Sequence, residues 1–163
     1  ATLSKAAAAI HAQLGEGEEL RITLEPRDEG SSEGALRELL AQRRREEIGR
    51  GITLSGPHRD DLRIEVGGRD ARLFGSQGQQ RSAVIALKFG TLLASQETLG
   101  ATPLLLLDDI LSDLDAERRA HLVEIVLQYA GQAILTCTEA EAAGPKIIEL
   151  AEIVRVENGK ILT

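Results

Sequence analysis

Four consecutive leucines running into two aspartates, Leu104-Leu105-Leu106-Leu107-Asp108-Asp109, constrain this chain more than any other feature. A strand apolar at every position reads as buried on both faces, as the strands of a parallel sheet are. Open α/β sheets place their ligands at the carboxyl ends of the strands, where this run delivers its carboxylates. Side chains alternate along a strand, so two adjacent acids cannot point the same way. One is then suited to hold a hydrated Mg²⁺ while its neighbour addresses a water. Mg²⁺ prefers one or two carboxylates with waters and phosphates, which fits a nucleotide enzyme. Acids also serve simply to solvate a strand end, and the dipeptide alone leaves both readings open.

The elements around this strand agree with an α/β layer. Leu3, Ala7, Ile10 and Leu14 recur at helical spacing over Thr2 to Leu14, and Gly15 stops that helix. Leu20, Ile22 and Leu24 alternate with polar residues in a half-buried strand that Pro26 closes. Ser32 or Ser31 caps a helix from Glu33 to Ile48, whose end carries Arg43, Arg44 and Arg45, read as a solvated helix end. Strands Leu62–Val66 and Asp70–Phe74 flank the Gly67-Gly68 turn, a hairpin signal. A helix is expected from Gln80 to Gln96, a second from Ala116 to Tyr129 capped by Asp115, and a buried strand at Ala133–Thr136. Ile153 to Leu162 forms a terminal hairpin around Asn158-Gly159. Buried strands alternating with helices imply a partly parallel sheet with flanking helices.

Charge narrows the ligand. Residues 56–91 carry 6 basic and 4 acidic side chains, whereas residues 92–163 carry 5 basic and 12 acidic ones. The middle segment would welcome an anion, and the acidic segment a divalent cation. With no Trp, one Tyr and two Phe, the chain lacks the aromatics of a single-strand stacking platform. Its single cysteine, Cys137, excludes an internal disulfide framework and a multi-cysteine zinc site, and reads as a small core residue. No apolar run reaches the length of a membrane span, so a cytoplasmic location is expected.

The loop Gly75-Ser76-Gln77-Gly78-Gln79-Gln80-Arg81 lies in the basic segment, directly before a helix. It offers a hydroxyl, side-chain amides and backbone N–H groups, and helix N-termini are phosphate sites. Ser112-Asp113-Leu114-Asp115 follows the acid pair just ahead of another helix. His58 in Gly56-Pro57-His58-Arg59-Asp60-Asp61 reads as part of a structural turn, and His11 and His121 as packing or surface residues.

Together, Ser76-Gln77-Gly78-Gln79, Asp108-Asp109 and Ser112-Asp113-Leu114-Asp115 resemble the signature loop, Walker B strand and D-loop of an ABC-type ATPase head. The spelling of Gly75–Arg81, with Gly56–Asp61 upstream, resembles the RecF family, bacterial recombination-mediator ATPases related to the heads of SMC and Rad50 proteins. The resemblance is densest from Leu54 to Thr138. It implies that residues 1–53 are part of helical lobe II and residues 54–163 the C-terminal part of the ATPase head. It further implies ATP and Mg²⁺ as cofactors, with Asp108 on the metal through water and Asp109 at the catalytic position, where most ABC enzymes have glutamate. Ser76, Gln77, Gly78 and Gln79 would meet the γ-phosphate of ATP held by the opposite subunit, and Ser112 and Asp115 would lie at the dimer seam.

Two departures follow. Thr136-Cys137-Thr138 stands where a switch histidine is expected, and Thr138 can orient a phosphate only weakly. No G-x-x-x-x-G-K-[ST] loop occurs, because Gly159-Lys160 is followed by Ile161. The chain therefore resembles the C-terminal half of such a protein, with the N-terminal half as a missing partner. By resemblance the whole protein forms an ATP-dependent homodimer on duplex DNA at single-strand gaps and helps RecO and RecR load RecA. The isolated chain is expected to be inactive. The alternatives are an SMC or Rad50 head, against which Gln77 and Asp109 speak, or a non-catalytic protein or DNA interaction module. A phosphoacceptor receiver domain carries its paired acids on the first strand, whereas here they follow four earlier elements.

Overall fold

The computed structural model describes residues 2–15, 17–28, 32–112 and 114–162. Helix α1 (Thr2–Gln13) begins the chain and buries Ala7, Ile10 and His11. Gly15 ends it with φ +82° and closely faces the His121 ring, so the stop is steric as well as conformational. Strand β1 (Leu20–Glu25) pairs antiparallel with β2 (Asp61–Val66), Leu20 opposite Val66 and Glu25 opposite Asp61.

Between these strands stands α2 (Glu33–Arg50), capped by the Ser32 hydroxyl, which accepts from the Ala35 amide at 3.2 Å. Ser31, the other candidate cap, lies outside the described residues. No α2 residue is buried, as suits an arm rather than a core helix. Its arginine triplet is not uniformly solvated, however. Arg43 donates from Nη1 to Ser55 Oγ at 2.7 Å and to Asp28 Oδ1 at 3.3 Å. Glu47 accepts from the Leu54 amide at 2.7 Å, and Asp28 Oδ2 accepts from the Gly56 amide at 3.2 Å. The helix end thus fixes the turn containing Pro57–Arg59, where His58 faces the Thr53 carbonyl as a turn residue would.

Strand β3 has two residues, Arg69–Asp70, and pairs with the end of β2 across the Gly67-Gly68 turn. The expected strand Asp70–Phe74 is corrected here: residues 71–74 form a short helix, α3 (Ala71–Phe74). Asp70 is the reason, because its carboxylate accepts from the Arg72 and Leu73 amides at 2.9 and 3.0 Å and so opens a helix.

Helix α4 (Gln77–Leu99) follows and is the spine of the core. It starts three residues earlier than the expected Gln80, because Ser76 and Gln79 close a capping box. Helix α1 lies along it so closely that a Cβ on Gly90 would come within 2.9 Å of both the Cβ and the backbone N of Ala7. Gly90→Leu is therefore expected to destabilise the fold by about 3 kcal/mol, read from urea unfolding. A stability equal to the parent's would show that α1 does not cross at this point.

Strand β4 (Leu105–Asp108), helix α5 (Ala116–Tyr129) and strand β5 (Ala133–Thr136) form a βαβ unit with parallel strands. Its two-sided burial is not observed. Leu105 and Leu107 enter the core, whereas Leu106 is 66% and Ile134 51% exposed. Within this chain, helices cover one face of the pair and no described element covers the other. Beyond β5 come α6 (Pro145–Leu150) and a hairpin of β6 (Arg155–Glu157) and β7 (Lys160–Leu162), turned through Asn158 and Gly159 at φ +50° and +73°. No helix among the described residues is long and apolar enough to cross a membrane.

One core unites these pieces. Ala7, Ile10 and Leu14 of the first segment cluster with Ala86 and Phe89 of α4, Leu107 of β4 and Leu122 and Val126 of α5. The boundary expected after residue 53 falls in the turn after α2. Helix α1 and strand β1, before it, are buried against α4 and β2, after it.

Candidate functional site

The acid pair stands at the carboxyl edge of the parallel strands, where the register sets Asp108 beside Thr136. The Thr136 hydroxyl donates to Asp108 Oδ1 at 2.5 Å, and its oxygen accepts from the Asp109 amide at 2.9 Å. Asp109 has left the strand: its φ is +47°, in the left-handed region that a non-glycine residue adopts only at some cost. Aspartate tolerates this region better than bulkier residues. The turn is closed by Ser112, whose hydroxyl donates to the Asp109 carbonyl at 2.8 Å, and anchored by buried Leu111 and Leu114. Asp113, expected in the same motif, lies outside the described residues.

Asp115 caps α5, accepting from the Arg118 amide at 2.9 Å and from Arg118 Nη1 at 3.1 Å. That backbone N–H, with the guanidinium charge, holds the Asp115 carboxyl below its ordinary value of 3.8.

Across from this turn the Ser76 loop is already ordered. Ser76 Oγ accepts from the Gln79 amide at 3.2 Å, and Gln79 Oε1 accepts from the Ser76 amide at 2.8 Å. The Gln79 side-chain amide also donates to Glu18. Gln80 braces the corner by donating to the Ala71 and Gly75 carbonyls at 2.9 and 3.2 Å. Gly75 is required there, because a Cβ would lie 2.5 Å from the Ala71 carbonyl oxygen. Gly78 sits in the first turn of α4 without a positive φ, and its reason is different. A Cβ at Gly78 would lie 2.8 Å from Arg118 Nη1, so the guanidinium of α5 rests on the turn.

A cavity of about 480 Å³ opens between the two segments, lined by Gln77, Gln80, Arg81, Val84, Ile110 and Leu114 among others. The structure therefore brings the Ser76–Gln79 turn and the Asp115 cap to one side of the molecule. Asp108 and Asp109 spend their hydrogen bonds on β5 and on their own turn instead.

Thr136 rather than Thr138 is the threonine bonded to the acid pair, and Thr138 is an exposed residue two positions past the end of β5. Reading the sequence did not single out Thr136 or Arg118. The parallel register, which sets Asp108 opposite Thr136, was the available signal for the first; nothing in the sequence marks the second. Cys137 is half-buried just beyond β5, not within it. Among the described residues no three His, Cys, Asp or Glu side chains gather as a metal cage. One carboxylate beside a hydroxyl is the donor set that suits a cation shared with waters and phosphates, as Mg²⁺ is in nucleotide sites.

No family model matches the chain. Among solved structures, one described as the recombination mediator protein RecF-ATPrS in the RecFOR pathway superposes with a TM-score of 0.65 at 24% identity, over 98% of this chain and 43% of that one. An SMC head bound to the C-winged helix domain of ScpA gives 0.52 at 18% identity, over 87% and 36%. These likenesses establish the fold: α/β, with a parallel strand pair and flanking helices, folded like part of the RecF and SMC ABC-type heads. At the level of sequence, the DNA replication and repair protein RecF of Bacillus subtilis (strain 168) is 38% identical over 170 aligned positions, 99% of this chain and 46% of that protein. The protein of the same name from Chloroflexus aggregans is 40% identical over 167 positions, 98% of this chain and 43% of its own length. The chain is similar to RecF proteins along nearly its whole length and corresponds to a C-terminal part of them. It spans somewhat less than half the length of these relatives.

Proposed function

We propose that this chain supplies the signature turn and the acid pair of an ATP site completed between two subunits of a DNA repair ATPase. The observation that carries the reading is the division of the polar groups. Ser76 and Gln77 are exposed at the start of α4, with Gly78 and Gln79 half-buried beside them, whereas Asp108 and Asp109 are bonded to β5 and their own turn. Each set would serve a different nucleotide. Asp108, steadied by the Thr136 hydroxyl, would hold Mg²⁺ through water. When bound, that ion neutralises charge on the β- and γ-phosphate oxygens.

Asp109 is set off the strand by its left-handed backbone and would orient the attacking water and accept its proton. An aspartate reaches one methylene less far than glutamate, so turnover is expected to be slow. Ser112 and Asp115 would lie along the seam between subunits. The relatives' names point to DNA repair, and the resemblance adds duplex DNA at single-strand gaps, RecO and RecR as partners and a cytoplasmic place of action.

Titration of Mg-ATP tests the division of labour. The chain alone is expected to bind more weakly than millimolar, because carboxylates near a triphosphate repel it unless a lysine and nested amides offset them. The full-length protein is expected to bind in the micromolar range. Micromolar binding by this chain alone would overturn the reading.

A further inference from the structure

We propose that Arg118 is a further phosphate-binding residue of the composite site, bringing its guanidinium onto the signature turn at Gly78 to meet the terminal phosphate held by the opposite subunit. The inference rests on the reading above and deepens it. The turn itself, Ser76-Gln77-Gly78-Gln79, carries no charge, so it offers a phosphate only hydrogen bonds and the weak positive end of α4. Arg118 enters from a separate element, the first turn of α5, and its Nη1 lies where a side chain on residue 78 would begin. With glycine at position 78 the guanidinium rests on the turn without having to shift.

Asp115 anchors the guanidinium from the same turn of α5 at 3.1 Å, aligning its plane while leaving the side chain 31% exposed. A half-screened guanidinium is attracted to a dianionic phosphate more strongly than a fully solvated one. Its planar fork also suits two phosphate oxygens at once, as a lysine ammonium does not. The same residue binds the cap of the seam helix to the signature turn, so a phosphate arriving at Gly78 competes with Asp115 for Arg118. Nucleotide contact and seam geometry are thereby joined in one side chain.

The test uses the full-length protein carrying Arg118→Gln or Arg118→Lys, with Ser76→Arg as a control. ATP-dependent dimerisation is followed by sedimentation, alongside monomer ATP affinity and the unfolding midpoint. Arg118→Gln is expected to weaken dimerisation roughly 10- to 100-fold, the range for losing a charged hydrogen bond. Monomer ATP affinity and the unfolding midpoint are expected to stay at the parent's values. Arg118→Lys is expected to recover part of the loss, and dimerisation of Arg118→Gln to respond less steeply to added salt than the parent's.

Dimerisation of Arg118→Gln at the parent's strength overturns the proposal. So does a loss that merely follows a fallen unfolding midpoint, or a salt response identical to the parent's. If Ser76→Arg blocks dimerisation while Arg118→Gln does not, only the role of Arg118 falls. If both dimerise normally, the composite-site reading itself falls.

Discussion

Replacing Ser76 by arginine in the full-length protein is expected to abolish ATP-dependent dimerisation while leaving ATP binding by each monomer nearly intact. The local cost is limited. The substitution removes one partner of the Ser76–Gln79 capping box, worth about 1 kcal/mol, at the exposed end of a helix of 23 residues. Gln80 still braces the α3–α4 corner through the Ala71 and Gly75 carbonyls, so the helix keeps its start. What changes is the outward face. A long cation replaces the hydroxyl beside Gly78, next to the guanidinium of Arg118, and the added bulk and like charge obstruct a second subunit. Because the turn is proposed to address nucleotide held by the other chain, the monomer's own site is expected to be untouched. Equal loss of monomer ATP affinity would show that the turn works within its own subunit.

The acid pair divides in a second, equally large effect. Asp109→Asn in the full-length protein is expected to slow phosphate release by about 100-fold or more while prolonging the ATP-bound dimer, because it removes the charge proposed to orient and deprotonate water. Asparagine adopts the left-handed backbone as readily as aspartate, so the φ of +47° imposes no new strain and the variant isolates the chemistry. Asp108→Asn keeps an oxygen to accept from the Thr136 hydroxyl and so preserves the strand end. It is expected to weaken the Mg²⁺ dependence of turnover instead, visible as a raised Mg²⁺ requirement. Undiminished turnover in Asp109→Asn would remove the residue from the catalytic position.

Much of this arrangement was legible because short-range chemistry decided it. Ser32 and Asp115 cap the helices they precede, and Asn158-Gly159 makes the hairpin turn its residues favour. The parallel strand carrying Asp108 was legible from four leucines. Its one-sided burial was not, since a run of leucines records what a strand is built to face and not what this chain alone lays over it. The strand expected at Asp70–Phe74 failed through a competition of similar local signals. Val66-Gly67-Gly68 announced a hairpin, but Asp70 satisfied two amides ahead and turned the chain into α3. Thr136 and Arg118 needed tertiary knowledge, namely the β4–β5 register and the approach of α5 to Gly78. Neither distance is encoded in any local spacing.

If the Ser76–Gln79 turn meets nucleotide held by another subunit, its uncovered amides are shielded only in the ATP-bound dimer. Backbone hydrogen exchange reads this at the Gln77 and Gly78 amides, which lie in the first turn of α4 and are not taken up by the Ser76–Gln79 capping box, so they exchange until something covers them. The measurement follows residues 77 and 78 of full-length Asp109→Asn, whose ATP-bound dimer is expected to outlast the labelling pulse. It is made with saturating Mg-ATP at protein concentrations above and below the dimer dissociation constant. Protection of these amides is expected only where dimer forms, with none in the ATP-bound monomer. Protection in the ATP-bound monomer, or a closed dimer in which these amides still exchange freely, would contradict this reading.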